Sequence, residues 1–282
     1  MKDKESFPAD TVVISGAAGG LGTVLVKKFA ALGYNVIAVD IDKSGLARFE
    51  GLQNVIAKNI DVTSIEQVRV LAREVNLDMK GLSLLICLAG IYDSYPVTEA
   101  DTSLLQKIIA VNCTSAASLV NAFLKSLIKI SGRVIIVSSE SYKMQAMFQP
   151  YMISKASLEA YCRVARQELA LKGVKLTVIR PGAIRTPLLK WMSSPVIPGQ
   201  YPVFDEEFRN SWKISVRMVG RITTPEKVAK KIIRASTVSK PKRIYRINNS
   251  PLLTFISLLP SGFTDRISVR MFRKEKNMQK PN

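Results

Sequence analysis

The 282-residue chain contains no histidine. That absence removes Ser-His-Asp and Cys-His nucleophilic chemistry together with histidine-based zinc sites. Any group that moves a proton must therefore be Tyr, Lys, Asp, Glu or Cys. Cysteine is scarce as well: Cys87, Cys113 and Cys162 are odd in number, widely spaced and set in apolar stretches. This pattern reads as reduced core thiols, with neither a disulfide framework nor a metal site. No apolar run approaches the ~18 residues that cross a bilayer. The N-terminus, residues 1–10, is charged and lacks the apolar centre of a signal peptide. Together these features lead us to expect a cytoplasmic protein.

Acidic residues are the next shortage, 22 against 41 Lys and Arg, for a formal charge of +19. The imbalance is concentrated: from Trp212 onward seventeen cations face three acids. Such a tail fits an anionic surface, either membrane headgroups or nucleic acid, or a solvated basic face. Its aromatic residues are not interleaved with the charges as in a nucleic-acid-binding module, which disfavours that partner.

What is present is an alternation of strand and helix from residue 11 to about 180. Apolar runs at Thr11–Ser15, Tyr34–Asp40, Asn54–Ile60, Leu82–Leu88, Arg133–Ser138 and Val174–Ile179 read as strands. Helical spacing lies between them, near Ser64–Asn76, Ser103–Lys129 and Pro150–Leu171. Near-continuous apolar strands separated by helices mean a parallel sheet buried on both faces, so the expected fold is α/β, a single doubly wound Rossmann-type sheet. We expect a catalytic domain over 8–248 and a basic amphipathic extension over 249–282. Within the domain, 186–222 is rich in proline and reads as a mobile lid or substrate loop. Thr224-Pro225-Glu226 opens a helix with an N-cap and proline at its first position, running to about Val238. Arg243–Ile247 reads as a last strand.

Ser15-Gly-Ala-Ala-Gly-Gly-Leu-Gly22 stands between the first strand and the first helix. Gly16, Gly20 and Gly22 allow a tight turn and close backbone approach to a pyrophosphate, with Gly19 and Leu21 in the same turn and the helix N-terminus supplying N–H donors. Asp40 closes the second strand, where a carboxylate accepts hydrogen bonds from ribose hydroxyls and repels a 2′-phosphate, so NAD is expected over NADP. Asp42 is assigned as a helix N-cap.

Tyr151 and Lys155 are four residues apart on one helix face. An ammonium about 4 Å from the phenol at an effective dielectric of ~20 contributes roughly 4 kcal/mol, which would bring the phenol toward neutrality as a general acid/base.

These segments, with Asp61-Val62, Ala89-Gly90, Val111-Asn112, Val137-Ser-Ser139, Tyr151-Met-Ile-Ser-Lys155 and Arg180-Pro-Gly-Ala-Ile-Arg-Thr186, resemble the short-chain dehydrogenase/reductase family over about residues 10–190. The resemblance implies Tyr151 as general acid/base, Lys155 lowering its pKa and holding the nicotinamide ribose, Asn112 ordering a water, and Ser139 bonding the substrate oxygen. It further implies adenine contacts from Asp61 and Val62, backbone contacts from Ala89 and Gly90, and nicotinamide contacts from Pro181, Ile184 and Thr186. A homodimer or homotetramer is implied too. Two departures stand out. Cys87-Leu-Ala-Gly90 replaces the family's Asn-Asn-Ala-Gly, so we expect altered stability more than lost activity. The serine is either Ser139 or Ser138; counting along the strand favours Ser139, and alternation sends the two side chains to opposite faces.

Leu188, Leu189, Trp191, Met192, Val196, Ile197, Tyr201, Val203 and Phe204, with Met144, Met147 and Phe148, either line an apolar pocket for a lipophilic alcohol or ketone or seal the core. Arg180–Leu188 and the run from Thr224 to Tyr245 resemble the steroid/retinoid branch of the family. Pro251–Pro260 is apolar but too short to span, and Arg266, Arg270, Arg273, Lys274 and Lys276 follow it; it reads as an interfacial anchor, a cap on the substrate entrance or a subunit contact. A non-catalytic dinucleotide-binding scaffold is the competing function.

Overall fold

The computed structural model of the protein describes residues 11–278 apart from 79–80, 144–145, 195, 252–254 and 256–257. Met144, Pro195, residues 8–10 of the expected domain and much of the apolar stretch after Pro251 therefore lie outside the described residues.

Seven strands form one parallel sheet: β1 (Thr11–Ser15), β2 (Asn35–Asp40), β3 (Val55–Asn59), β4 (Leu84–Cys87), β5 (Arg133–Val137), β6 (Lys175–Pro181) and β7 (Ile244–Ile247). Their order is β3-β2-β1-β4-β5-β6-β7. β1, Thr-Val-Val-Ile-Ser, is buried throughout, because β-branched side chains fit a pleated surface covered on both sides. Alternate residues sort to the two faces. Val13, Leu85, Val134 and Val178 join one core with Val68, Phe123 and Leu158 from helices α3 (Ile65–Asp78), α5 (Ser115–Lys129) and α6 (Pro150–Ala170). Val12, Ile14, Ile86 and Ile179 join the other with Phe29 and Ile232 from α1 (Gly20–Ala31) and α8 (Pro225–Thr237). The doubly wound architecture expected from the sequence is the observed one. The three cysteines are buried and free, and Cys87 and Leu88 carry the central strand into the core.

Helix caps match their residues. Asp42 accepts from Gly45 N at 2.9 Å at the start of α2 (Lys43–Leu46), and Thr224 caps α8 with Pro225 in its first turn.

Two expectations need correction. The stretch 103–129 is not one regular helix: α4 (Thr102–Ile109) and α5 are joined by a π turn over Ala110–Thr114. Together, Thr102–Lys129 is long and apolar enough to cross a membrane by length and composition, contrary to the reading of apolar runs, yet its inner face builds the core through Ile108, Leu119, Phe123 and Leu127. The 186–222 segment is likewise not simply a loop. It contains a 3-10 turn, Pro187–Ser193, and a 14-residue helix, α7 (Asp205–Met218). Its ends are clasped, since Arg185 N donates to Thr223 O at 2.9 Å and Thr223 N to Ala183 O at 2.8 Å. The prolines up to Pro202 hid this helix, whereas Asp205, Glu206 and Glu207 at its positive N-terminus mark where it starts. A final helix, α9 (Ser261–Met278), lies against α7.

Candidate active site

The carboxyl ends of the strands meet where β1 and β4 diverge in chain order, the switch point of the sheet. Gly16 sits there at φ +70°, and a Cβ on it would fall 2.8 Å from Ala89 N. Only glycine satisfies both demands. A Cβ on Gly20 would strike Thr186 Cγ2 at 2.9 Å, and one on Gly90 would lie 3.3 Å from Asn112 Oδ1 and 3.7 Å from Lys155 Nζ. The first turn, the end of β4 and the segment after β6 thus converge with backbone exposed between them.

α1 starts at Gly20 behind an N-cap, Gly19, that offers no side-chain acceptor. Its first N–H groups can therefore receive an anion. Leu21 is buried beneath this turn. Asp40 Oδ2 accepts from Ala18 N at 2.9 Å and Oδ1 from Asp42 N at 3.0 Å, which fixes the carboxylate beside the glycine turn. Asp61 Oδ1 accepts from the Thr63 amide and hydroxyl, at 2.9 and 2.7 Å, and Val62 is buried next to it. Pro181 ends β6, Ile184 bridges to Thr223, and Thr186 faces Gly20. A glycine cradle, an uncapped helix terminus and an anchored carboxylate fit a dinucleotide.

Tyr151 and Lys155 are carried by the first turns of α6. Lys155 is buried, with Nζ 5.7 Å from the centre of the Tyr151 ring and donating to Val137 O at 3.2 Å. Ser139 lies near enough to the Tyr151 phenol to draw its pKa down. The Ser139 hydroxyl also pairs with Ser141 Oγ at 2.9 Å. Ser138 points elsewhere, its hydroxyl buried without a hydrogen-bond partner among the described residues. Asn112, within the π turn, grips Ile91 at both ends: Oδ1 accepts from Ile91 N at 2.8 Å and Nδ2 donates to Ile91 O at 2.9 Å. Nδ2 also donates to Ser154 Oγ at 2.9 Å, tying the exit of β4 to α6. Such π turns insert one residue into a helix and re-aim its side chains, commonly at functional sites.

The electrostatics correct the sequence expectation. Burial pushes the Tyr151 phenol up to about 12, offset only in part by Ser139, and burial pulls the Lys155 ammonium down to about 8. Desolvation is the largest cause of both shifts.

Three features escaped the sequence reading. Tyr92 stacks on Trp191 (centroids 4.6 Å apart, planes at 17°) and leans on Tyr151 at 5.2 Å. Its hydroxyl donates to Gln149 Oε1 at 2.7 Å, and Gln149 Nε2 donates to Ser94 and to Ser215 of α7, at 3.3 and 3.2 Å. Behind the site, Arg180 and Glu159 form a buried two-point ion pair at 2.8 and 2.7 Å, with the guanidinium 4.2 Å above the Tyr142 ring. Glu140, next to Ser139, accepts from Ser250 N at 2.7 Å, and burial raises its pKa. These contacts join residues up to 110 positions apart, and no local spacing announces them. Of the expected pocket residues, Trp191, Phe148 and Phe204 gather near Tyr151 or its support, whereas Ile197 and Val203 face outward.

Comparison with known proteins matches this geometry. The family model for short chain dehydrogenase covers residues 10–195. Estradiol 17-beta-dehydrogenase 2 of Rattus norvegicus is 32% identical over 195 residues, 65% of this chain and 51% of that protein, so the chain spans about half of that relative. Retinol dehydrogenase 5 of Homo sapiens is 26% identical over 295 residues, covering 95% of this chain and 91% of that protein. A solved short chain dehydrogenase/reductase from Burkholderia phymatum, in complex with NAD, superposes with a TM-score of 0.74 at 20% identity over 90% of this chain and 94% of that one, a likeness of fold. The chain belongs to the short-chain dehydrogenase/reductase family of oxidoreductases, alongside members named for steroids and retinoids.

Proposed function

We propose that the protein interconverts a lipophilic secondary alcohol and its ketone with NAD(H), using Tyr151 as general acid/base. The observation that carries this reading is the convergence of Ser139, Tyr151, Lys155 and Asn112 on the glycine cradle. The cofactor supplies or accepts the hydride. Ser139 holds the substrate oxygen beside Tyr151, whose hydroxyl gives its proton to a ketone and whose phenolate takes one from an alcohol. Lys155 stabilises the phenolate side of that exchange. Asn112 clamps Ile91 and Ser154, which leaves one Oδ1 lone pair for an ordered water. Asp40 favours NAD over NADP because its carboxylate would oppose a 2′-phosphate. Asp61 and Val62 border the adenine, and Pro181, Ile184 and Thr186 the nicotinamide.

The test follows reduced nicotinamide absorbance across a panel of apolar and short secondary alcohols with both cofactors. Turnover with NAD, lost in Tyr151→Phe, is expected; undiminished turnover by that variant would refute the mechanism.

We further propose that the catalytic unit, 8–248, acts as a homodimer or homotetramer, and that 249–282 is an extension touching membranes peripherally. Phe255, Leu258, Phe263, Ile267 and Val269 are all exposed, close in sequence to Arg266 and Arg270. Apolar side chains among cations suit an anionic bilayer surface. Truncation after Ser250 should abolish sedimentation with anionic liposomes, and unchanged sedimentation would sink the idea.

A further inference from the structure

Tyr92 is held more firmly than an ordinary surface-loop tyrosine. Its hydroxyl is anchored to Gln149, the N-cap of the helix that carries Tyr151. Gln149 is itself buried and braced by Ser94 and Ser215, and Ser94 Oγ donates to Phe148 O at 2.9 Å. One part of the Tyr92 ring touches Tyr151, while its face is covered by the Trp191 indole from the 3-10 turn Pro187–Ser193. Trp191 is held through its backbone, where its carbonyl accepts from Trp212 Nε1 at 3.3 Å. An immobile ring therefore stands against the proton-transfer tyrosine, and a second ring, borne on the clasped segment between Ala183 and Thr223, lies on top of it.

We propose that Tyr92 and Trp191 together form the specificity-determining wall of this site, selecting substrates that carry a bulky apolar group beside the reacting carbon. This rests on the oxidoreductase reading above. An alcohol bound at Tyr151 would meet the Tyr92 ring, whose centre is 5.2 Å from that of Tyr151, and behind it Trp191, 4.6 Å further. Apolar bulk gains contact with the wall, and a methyl group gains little. The pocket contribution of one such group is on the order of tenfold or more in kcat/KM.

The experiment compares 1-cyclohexylethanol with propan-2-ol in the full-length protein, Trp191→Ala and Trp191→Phe. We expect Trp191→Ala to lower kcat/KM for the cyclohexyl alcohol, through KM, by about tenfold or more relative to its effect on propan-2-ol. Trp191→Phe should regain most of the loss. Equal losses for both alcohols, or none, would overturn the proposal. A second readout does not need turnover. Trp191 and Trp212 are the two tryptophans of the chain, so Trp212→Phe leaves Trp191 as sole emitter. Titrating that variant with 1-cyclohexylethanol in the presence of NAD should shift its emission, and an unmoved spectrum at saturating alcohol counts against the wall. Should neither alcohol be turned over by the parent protein, the proposed secondary-alcohol substrate class fails, and the emission alone decides whether apolar bulk meets Trp191.

Discussion

Lys155 Nζ donates to the carbonyl of Val137, at the end of β5, at 3.2 Å, and lies 5.7 Å from the centre of the Tyr151 ring one helical turn away. This contact secures one of its protons while burial disfavours its charge, and the ammonium settles near a pKa of about 8. In the unfolded chain the same lysine titrates near 10.5. Between those values the unfolded state binds more protons, so this group makes stability rise with pH from about 8 to about 10.5. Below about 8 its burial opposes folding by up to about 3 kcal/mol. Lys155→Met should therefore abolish turnover while raising Tm at pH 7, with the gain shrinking by pH 10. A fall in Tm at pH 7 would contradict this balance.

The two serines make opposite predictions. Ser139→Ala removes the hydroxyl that draws down the Tyr151 pKa and should lower kcat by about 10²-fold or more, as loss of a polarising donor does. Ser138→Ala removes a buried hydroxyl without a partner among the described residues. It should keep activity and leave stability unchanged or raise it by up to about 1–3 kcal/mol, read by urea unfolding. Reversal of these outcomes would transfer the role to Ser138.

Arg180 and Glu159 are 8% and 9% exposed, deep enough that neither charge is well hydrated alone. Glu159→Ala should destabilise the protein by about 3–5 kcal/mol by stranding the guanidinium. The double change Glu159→Leu with Arg180→Met should recover much of that loss. A single variant that unfolds at the same urea concentration as the parent would show that the pair contributes nothing.

Asp40 is the natural place to alter cofactor choice. Asp40→Ala should weaken NAD use by removing the ribose acceptor and improve NADP use by removing a repelling charge, together shifting the ratio of kcat/KM values by about tenfold or more. An unchanged ratio would mean that the carboxylate serves only to bind the Ala18 and Asp42 amides.

The parts of the molecule legible in the sequence are those with local causes. Apolar strand runs, the glycine turn and the Tyr151-to-Lys155 spacing each arise within a few residues, and the alternation of strand and helix gives the doubly wound class. The π turn around Asn112 was not legible, because it is held by Ile91 and Ser154, groups remote in the chain. The Tyr92–Gln149–Ser215 chain and the Arg180–Glu159 pair share that origin. Helix α7 had a signal in Asp205, Glu206 and Glu207, masked by the prolines before it. The electrostatic expectation for Tyr151 failed for another reason: spacing along a helix gives proximity but not burial, and burial decided both pKa values.

The strand order has a consequence for how the chain is made. After β3, every strand emerging from synthesis adds to one advancing edge, β4 on β1, then β5, β6 and β7 in turn. A nascent chain that has reached only Pro181 exposes β6 as a sticky rim of unpaired amides and carbonyls. That rim is sealed some sixty residues later by Ile244–Ile247. The interval between those two moments is when the polypeptide is most exposed to mispairing with its neighbours, and when a chaperone would have most to hold.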